Sequence, residues 1–396
     1  MKYNLDAVID RKGTHCVKWE YASKSIKGAP RDVLPLWVAD MDFPCAQPIL
    51  DAMHARVDRQ IFGYSTPYTE GYLSAVCNWF GSRYDWGISP DQILVTPGVV
   101  PALGVMVRAF TRAGEGVIVQ QPVYYPFFSI IRNNGRNIVN NPLILNNGVY
   151  EIDFDDLEHK AADPAHTLMI LCSPHNPVGR VWTEPELTRV ADICRRHHVI
   201  LVVDEIHCDL LRQGIEFIPM AKAAPSETVI SCTAASKTFN LAGLQISNSI
   251  FQSQVMRSRC EVELRDKIGL FGANPLSIVA TEAAYTQGHE WLDQVLAYID
   301  TNLAFVSEFI SVHMPKVEYC IPQGTYLAWL DLRQYDWPWE TLKKALLTEA
   351  KVALDDGDMF GEEGRGFERI NAACPRSILT DCLHRMAAVL QAEDRA

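Results

Sequence analysis

Residues 233–247, TAASKTFNLAGLQIS, hold the reading that decides the fold. Lys237 stands just beyond the apolar run around Val229 and Ile230 and is walled in by small and hydroxyl residues. An ammonium group is normally kept in water, because burying an unpaired charge is costly. A lysine at the end of a buried strand therefore needs a chemical reason for its place.

Working outward, the flanking sequence alternates short apolar runs with helical patterns. QILVTPG (92–98) predicts a strand ending in a turn, VVPALGVMVRAFTRAGE (99–115) an apolar helix closed by glycine, and GVIVQ the next strand. HTLMILCSPHNPVG predicts a strand entering a polar loop. TEPELTRVADICRRHH opens on a Thr183-x-x-Glu186 capping box and keeps an amphipathic period. VILVVDEIH and TVISCTAASK are further buried strands. Continuous apolar runs separated by helices describe an α/β protein with a mainly parallel sheet covered on both faces. Beyond about residue 285 a long helical stretch, the run GTYLAWLDL and a last helix near 377–392 predict a smaller α+β domain. The expected division is 46–284 for the large domain, with 1–45 and 285–396 forming the small one.

The whole chain sets outer limits. It has 396 residues, 48% of them hydrophobic, enough for a sizeable core and for two domains. Its net charge of −12, without a Lys/Arg block, gives no footprint for nucleic acid or an anionic membrane. There is no run of 18 apolar residues and no apolar export segment near Met1, so the expected compartment is the cytoplasm. Eleven cysteines occur, never as CxxC, and are expected as free thiols with no metal site.

In an open parallel sheet, ligands bind beyond the carboxyl ends of the strands. Unusual polar residues fall at those ends. Gly98-Val99-Val100 joins a strand to a helix, where free amides and the helix dipole suit a phosphate. Asn176 follows one strand, Asp204 ends another, and Lys237 follows a third. Taken singly, each has a plain reading: Asp204 as a cap, NPVG as a turn, Ser236-Lys237 as a chance pair. Taken together they supply a phosphate seat, an acid and a lysine able to condense with an aldehyde, the parts that pyridoxal 5'-phosphate requires.

The ordered motifs LPLWVADMDF, GYSTP, TPGVVPAL, QPVYYPFF, CSPHNPVGRVW, VVDEIH, SKTFNLAGLQ, GTYLAWLDL and FERINAACPR, spanning about residues 34–376, resemble the aspartate-aminotransferase-like fold (fold type I) of pyridoxal-phosphate enzymes. More narrowly, they resemble the cystathionine β-lyase (C–S lyase) branch of the class I/II aminotransferases, which includes a maltose-regulon modulator and cystalysin. The resemblance implies that Lys237 bonds the cofactor and moves the substrate's α-proton. It further implies that Asp204 holds the pyridinium nitrogen, Asn176 the ring oxygen, and Tyr124 the ring face. Val99 and Val100 amides would bind the phosphate, with the Ser236 and Thr233 hydroxyls. Tyr64 would reach the phosphate of a partner subunit, making a homodimer with shared sites. Arg369 would clamp the substrate's α-carboxylate.

Tyr125 is a candidate catalytic residue or a core aromatic, and His207 a ligand of the ring oxygen or a supporting histidine. Arg376, Trp37 and Trp329 are expected to be structural. One departure stands out: Gln245 occupies a position where many aminotransferases of this fold carry a phosphate-binding arginine, eight residues after the lysine. The implied reaction is β-elimination from L-cystathionine or a related cysteine S-conjugate, giving a thiol, pyruvate and ammonia. An aminotransferase using the same residues, and a regulatory binding protein with incidental lyase activity, are the alternatives.

Overall fold

A computed structural model describes residues 2–393. Its largest sheet has seven strands: β1 (Ile93–Thr96), β2 (Gly116–Val119), β3 (Asn137–Asn140), β4 (His166–Cys172), β5 (Ile200–Asp204), β6 (Val229–Thr233) and β7 (Ser247–Phe251). Their spatial order is β1-β7-β6-β5-β4-β2-β3. Every pair from β6 through β3 is parallel, whereas β7 runs antiparallel to both its neighbours. The expected α/β architecture with a mainly parallel sheet is present.

Side chains alternate across this sheet, as the two-residue period of a strand requires. Ile118, Met169, Leu171, Leu201, Val203 and Val229 join one apolar layer. Val117, Val119, Leu168, Ile170, Val202 and Ile230 join the other, against the helix Val99–Phe110 and the helix Gln254–Val262. Both faces are therefore dry, which is why these strands read as unbroken apolar runs. Strand β7 was hidden from that pattern because its sequence is SNSIF. Its polar groups are satisfied inside the sheet: Ser247 Oγ and Thr96 Oγ1 lie 2.7 Å apart, and Asn248 Oδ1 accepts from Tyr72 OH at 2.9 Å.

A second sheet holds β8 (Glu318–Tyr319), β9 (Leu327–Asp331), β10 (Asp355–Asp356) and β11 (Phe367–Asn371), in the order β8-β9-β11-β10. Near it, Leu34–Pro35 pairs in parallel with Val352–Ala353, tying the start of the chain to its C-terminal elements. Among the described residues one helix, His289–His313, is long and apolar enough to cross a membrane by length and composition. Its Trp291, Leu292, Val295, Ile299, Leu303, Val306 and Phe309 are buried in the main apolar layer, the placement of a core helix. The described cysteines are all free thiols.

One buried carboxylate links the core to the lysine segment. Asp209 accepts from Trp79 Nε1 (3.1 Å), Tyr84 OH, Thr238 Oγ1 (2.8 Å) and Arg83 Nε (3.0 Å). Thr238 is the residue after Lys237, so this anchor also fixes the short helix Ala235–Thr238. Removing it strands several buried donors. Asp209→Ala is expected to lower unfolding stability by about 3 kcal/mol, read from urea midpoints.

Candidate active site

The carboxyl ends of β4, β5 and β6, with the turn after β1, enclose a cavity of about 510 Å³. Its wall includes Gly98, Val99, Val100, Tyr124, Asn176, Asp204, His207, Ser236 and Lys237. Eight of the twelve residues expected at the site therefore meet in one place: Val99, Val100, Tyr124, Asn176, Asp204, His207, Ser236 and Lys237. Register explains much of this. Cys172, Asp204 and Cys232 are neighbours across β4, β5 and β6, so their side chains share one face of the sheet.

Gly98 has φ of +113°, a left-handed-side conformation that lets the chain turn from β1 straight into the helix Val99–Phe110. The first amides of that helix have no acceptor within it and point with the positive end of the dipole. Val99 and Val100 carry two of them into the cavity wall.

Burial sets the charge states. Asp204 is pushed up to about 7 by burial, opposed by the Ile206 N–H and by Lys237. The Ile206 amide donates to Asp204 Oδ1 at 3.1 Å. Burial pulls Lys237 down to about 8; Asp40 opposes the shift, Arg369 adds to it, and Asp204 opposes it. The amine donates to the Ala39 carbonyl at 2.7 Å. Burial holds His207 well below its usual range, with the Lys237 and Arg369 charges acting in the same direction, so the ring is neutral near pH 7. Its Nδ1 is buried without a partner.

Residues 37–42 close the cavity as a strap. Ala39 O accepts from Lys237 and from Tyr326 OH (2.8 Å), and Asn371 Nδ2 donates to the carbonyls of Val38 (2.7 Å) and Asp40 (2.6 Å). Charged pairs pin its far end: Arg11 to Asp40 at 2.8 Å, and Lys18 to Asp42 at 2.6 Å. Arg369, on β11, donates to Asn176 Oδ1 at 2.9 Å, to the Trp37 carbonyl at 3.0 Å, and to Asp355. It stands behind Asn176 rather than in the cavity wall.

Besides Arg369, three expected residues lie outside this wall. Thr233 alternates with Cys232, so it faces away from the Asp204 side, and its hydroxyl lies 3.4 Å from the Asn248 carbonyl; the structure does not bring it to the phosphate seat. Tyr125 packs on Phe360 with ring centroids 5.5 Å apart. Tyr64 is 100% exposed and lines a neighbouring cavity of about 550 Å³, which shares Pro97 and Gln245 with the first. Arg376 donates to Asn302 Oδ1 at 2.7 Å, Trp329 to Tyr150 OH at 3.0 Å, and Trp37 to the Lys18 carbonyl at 3.1 Å. Sequence reasoning missed Ala39, Asp40, Tyr326 and Asp355. The first three lie in motifs singled out above, but a backbone carbonyl that acts as an acceptor leaves no side-chain signal.

The wall fits pyridoxal phosphate: a helix start for an anion, an unpartnered histidine nitrogen, and a buried acid and amine in one chamber. Among the described residues no cluster of three His, Cys, Asp or Glu could hold a metal. The family described as aminotransferase class I and II matches residues 31–385. The chain is 42% identical to cystathionine beta-lyase PatB of Bacillus subtilis, covering 98% of this chain and 100% of that protein. It is 36% identical to protein MalY of Escherichia coli, covering 95% and 96%. The crystal structure of cystalysin from Treponema denticola, which contains a pyridoxal 5'-phosphate cofactor, superposes with a TM-score of 0.95 at 36% identity, covering 99% and 100%.

Asp204 gives a test free of turnover. Its folded value of about 7 lies above the ordinary 3.8, so the folded chain binds a proton that the unfolded chain releases between those values. Stability is lost as pH rises through that window, and the cost is complete above it. Asp204→Asn in cofactor-free protein should therefore raise the thermal midpoint at pH 8 and leave it nearly unchanged at pH 4, read by calorimetry.

Proposed function

The chain belongs to the aminotransferase class I and II family, as a pyridoxal 5'-phosphate enzyme of its carbon–sulfur lyase branch, and from that premise we propose that it cleaves L-cystathionine or a related cysteine S-conjugate by α,β-elimination. The observation that carries this reading is a buried amine, Lys237, pulled down to about 8 in the same chamber as Asp204. The relatives named as lyases direct it to sulfur substrates.

Bound pyridoxal phosphate supplies an aldehyde for amino groups and a ring that takes up the electron pair left when a proton leaves the α-carbon. This chain's residues do the rest. Val99 and Val100 amides and the Ser236 hydroxyl hold the phosphate. Asp204 would hold a proton on the ring nitrogen, a contact its burial would strengthen. Tyr124 would cover a ring face, while Asn176 and neutral His207 would serve the ring oxygen. Arg369, braced by Asn176, holds the substrate's α-carboxylate. Lys237 Nζ takes the α-proton; an amine near pH 8 is neutral often enough to accept it and returns it readily. The Cβ–S bond breaks with its electron pair leaving on sulfur, which is protonated to the thiol. Water completes the release of pyruvate and ammonia.

Tyr64 serves the site of a second copy in this reading. Its full exposure, beside Ile61 (73%), Phe62 (56%) and Phe271 (67%), supports an apolar contact next to the cavity.

Purified, cofactor-loaded protein should release pyruvate from L-cystathionine steadily with no keto acid added, and Lys237→Ala should lose at least about a thousandfold in kcat, the scale for removing an acid–base group. A single burst that needs a keto acid to continue would assign an aminotransferase instead. Shared sites predict complementation. Mixing and re-forming Tyr64→Ala with Lys237→Ala subunits should restore about a quarter of wild-type activity, since half the dimers are hybrids with one intact site of two. No recovery in confirmed hybrids would sink the role of Tyr64.

A further inference from the structure

Arg369 has an unusual set of partners for a residue meant to clamp a carboxylate. Asp355 and Arg369 are direct cross-strand partners on β10 and β11, and both side chains are about 2% exposed. One guanidinium nitrogen, Nη2, donates to Asp355 Oδ2 and to the Trp37 carbonyl. Nη1 donates to Asn176, and Nε is buried without a partner. A bidentate carboxylate contact needs two parallel N–H bonds from adjacent nitrogens. Either choice, Nη1 with Nη2 or Nε with Nη2, runs through the nitrogen that Asp355 occupies. The two hydrogens of Nη2 are already given to Asp355 and to the Trp37 carbonyl, so a bidentate carboxylate must displace one of them, and Asp355, itself an anion, is the partner that an incoming anion repels.

We propose that Asp355 is an internal competitor in the carboxylate seat of Arg369, and that a ligand carboxylate enters by displacing it with uptake of one proton. The inference rests on the reading of Arg369 as the α-carboxylate clamp. A displaced Asp355 would be a buried anion beside a second anion, and the neutral acid is then the cheaper form. Among the described residues its surroundings offer no replacement charge. Facing it are Arg369, Glu368 on the same strand as Arg369, its neighbour Asp356, and Tyr124 and Tyr125 from the segment after β2. The nearby cation Lys343 is already engaged with Glu340 (3.2 Å), Asp356 (3.6 Å) and Asp358 (2.8 Å). Burial pushes Asp355 up to about 6 against the pull of Arg369, so one further anion carries its titration across neutral pH. Asp355 thereby makes the grip on substrate depend on pH, a property outside the chemistry of the cofactor.

Propionate is the probe, because it has a carboxylate and neither an amine nor a thioether. Weakly buffered holoenzyme is mixed with propionate in the presence of an indicator dye, and affinity is measured in parallel by calorimetry. Wild type is expected to take up close to one proton per propionate bound at pH 7.5. Its Kd should rise about tenfold per pH unit above the free-state value of Asp355. Folded Asp355→Asn, with Asp355→Ser as the replacement if it unfolds, should bind propionate with no proton uptake and a flat pH dependence. Proton uptake absent in wild type, or undiminished in the variant, overturns the proposal. So does a folded variant that no longer binds at any pH, because Asp355 would then build the seat rather than fill it. Propionate binding unchanged in Arg369→Gln, or absent from wild type throughout, refutes the clamp itself and the competitor with it.

Discussion

A lysine amine and a carboxyl group have to be kept inside the protein, at or a few residues beyond the ends of buried strands, without water to stabilise their charges. Burial opposes charge on both Lys237 and Asp204, and each relieves the other only in part. Such a pair costs stability unless other groups fix it. The fixing groups are ordinary ones: the Ile206 amide on Asp204, the Ala39 carbonyl on Lys237, and Asp209 on Thr238. Stability comes instead from the two apolar layers flanking the seven-stranded sheet, which hold the strand ends in register. The site is a local cost carried by a large dry scaffold.

The wall opposite the strand ends comes from a different part of the chain. The strap at 37–42 lies over Lys237, and the second sheet supplies Arg369 and Asn371 to hold it, with Tyr326 from just before β9. Lys18 is fully buried at the strap, where the Asp42 carboxylate pairs its ammonium and the Asp40 carbonyl accepts from it as well. Truncating the first 45 residues would therefore remove an acceptor of the amine as well as a surface segment. The early part of the chain belongs to the chemistry.

Much of this was legible in the sequence because strand ends announce themselves. Apolar runs such as ILVVD and VISCT mark buried parallel strands, and the polar residue that ends each is a site candidate by position alone. Thr233, which the resemblance offered for the phosphate, shows what position alone leaves open. Being at a strand end fixes where a residue is along the sheet, whereas alternation decides which face it serves, and Thr233 falls opposite in phase to Asp204 and Cys232. Strand β7 escaped notice because its serines and asparagine find partners within the protein, which sequence cannot show. Asp355 escaped for a similar reason: two adjacent aspartates look like a solvated turn, and only pairing with β11 turns one of them onto Arg369.

Gln245 bears on how the proposed phosphate seat would manage with less positive charge. It sits at φ of +53°, after the turn that follows Lys237, and borders both the strand-end cavity and the neighbouring one. A neutral amide cannot form the paired ionic contact that an arginine would. What remains is the helix start at Val99–Val100, whose dipole contributes roughly half a charge, together with the Ser236 hydroxyl. That set has direction but little long-range field. A phosphate held this way depends on close, well-aimed donors rather than bulk attraction, so its affinity should owe more to the rigidity of the Gly98 turn than to salt conditions. It also leaves Lys237 with no neighbouring arginine at 245 to depress it further. Its lowered value is then chiefly the work of burial, with a smaller push from Arg369.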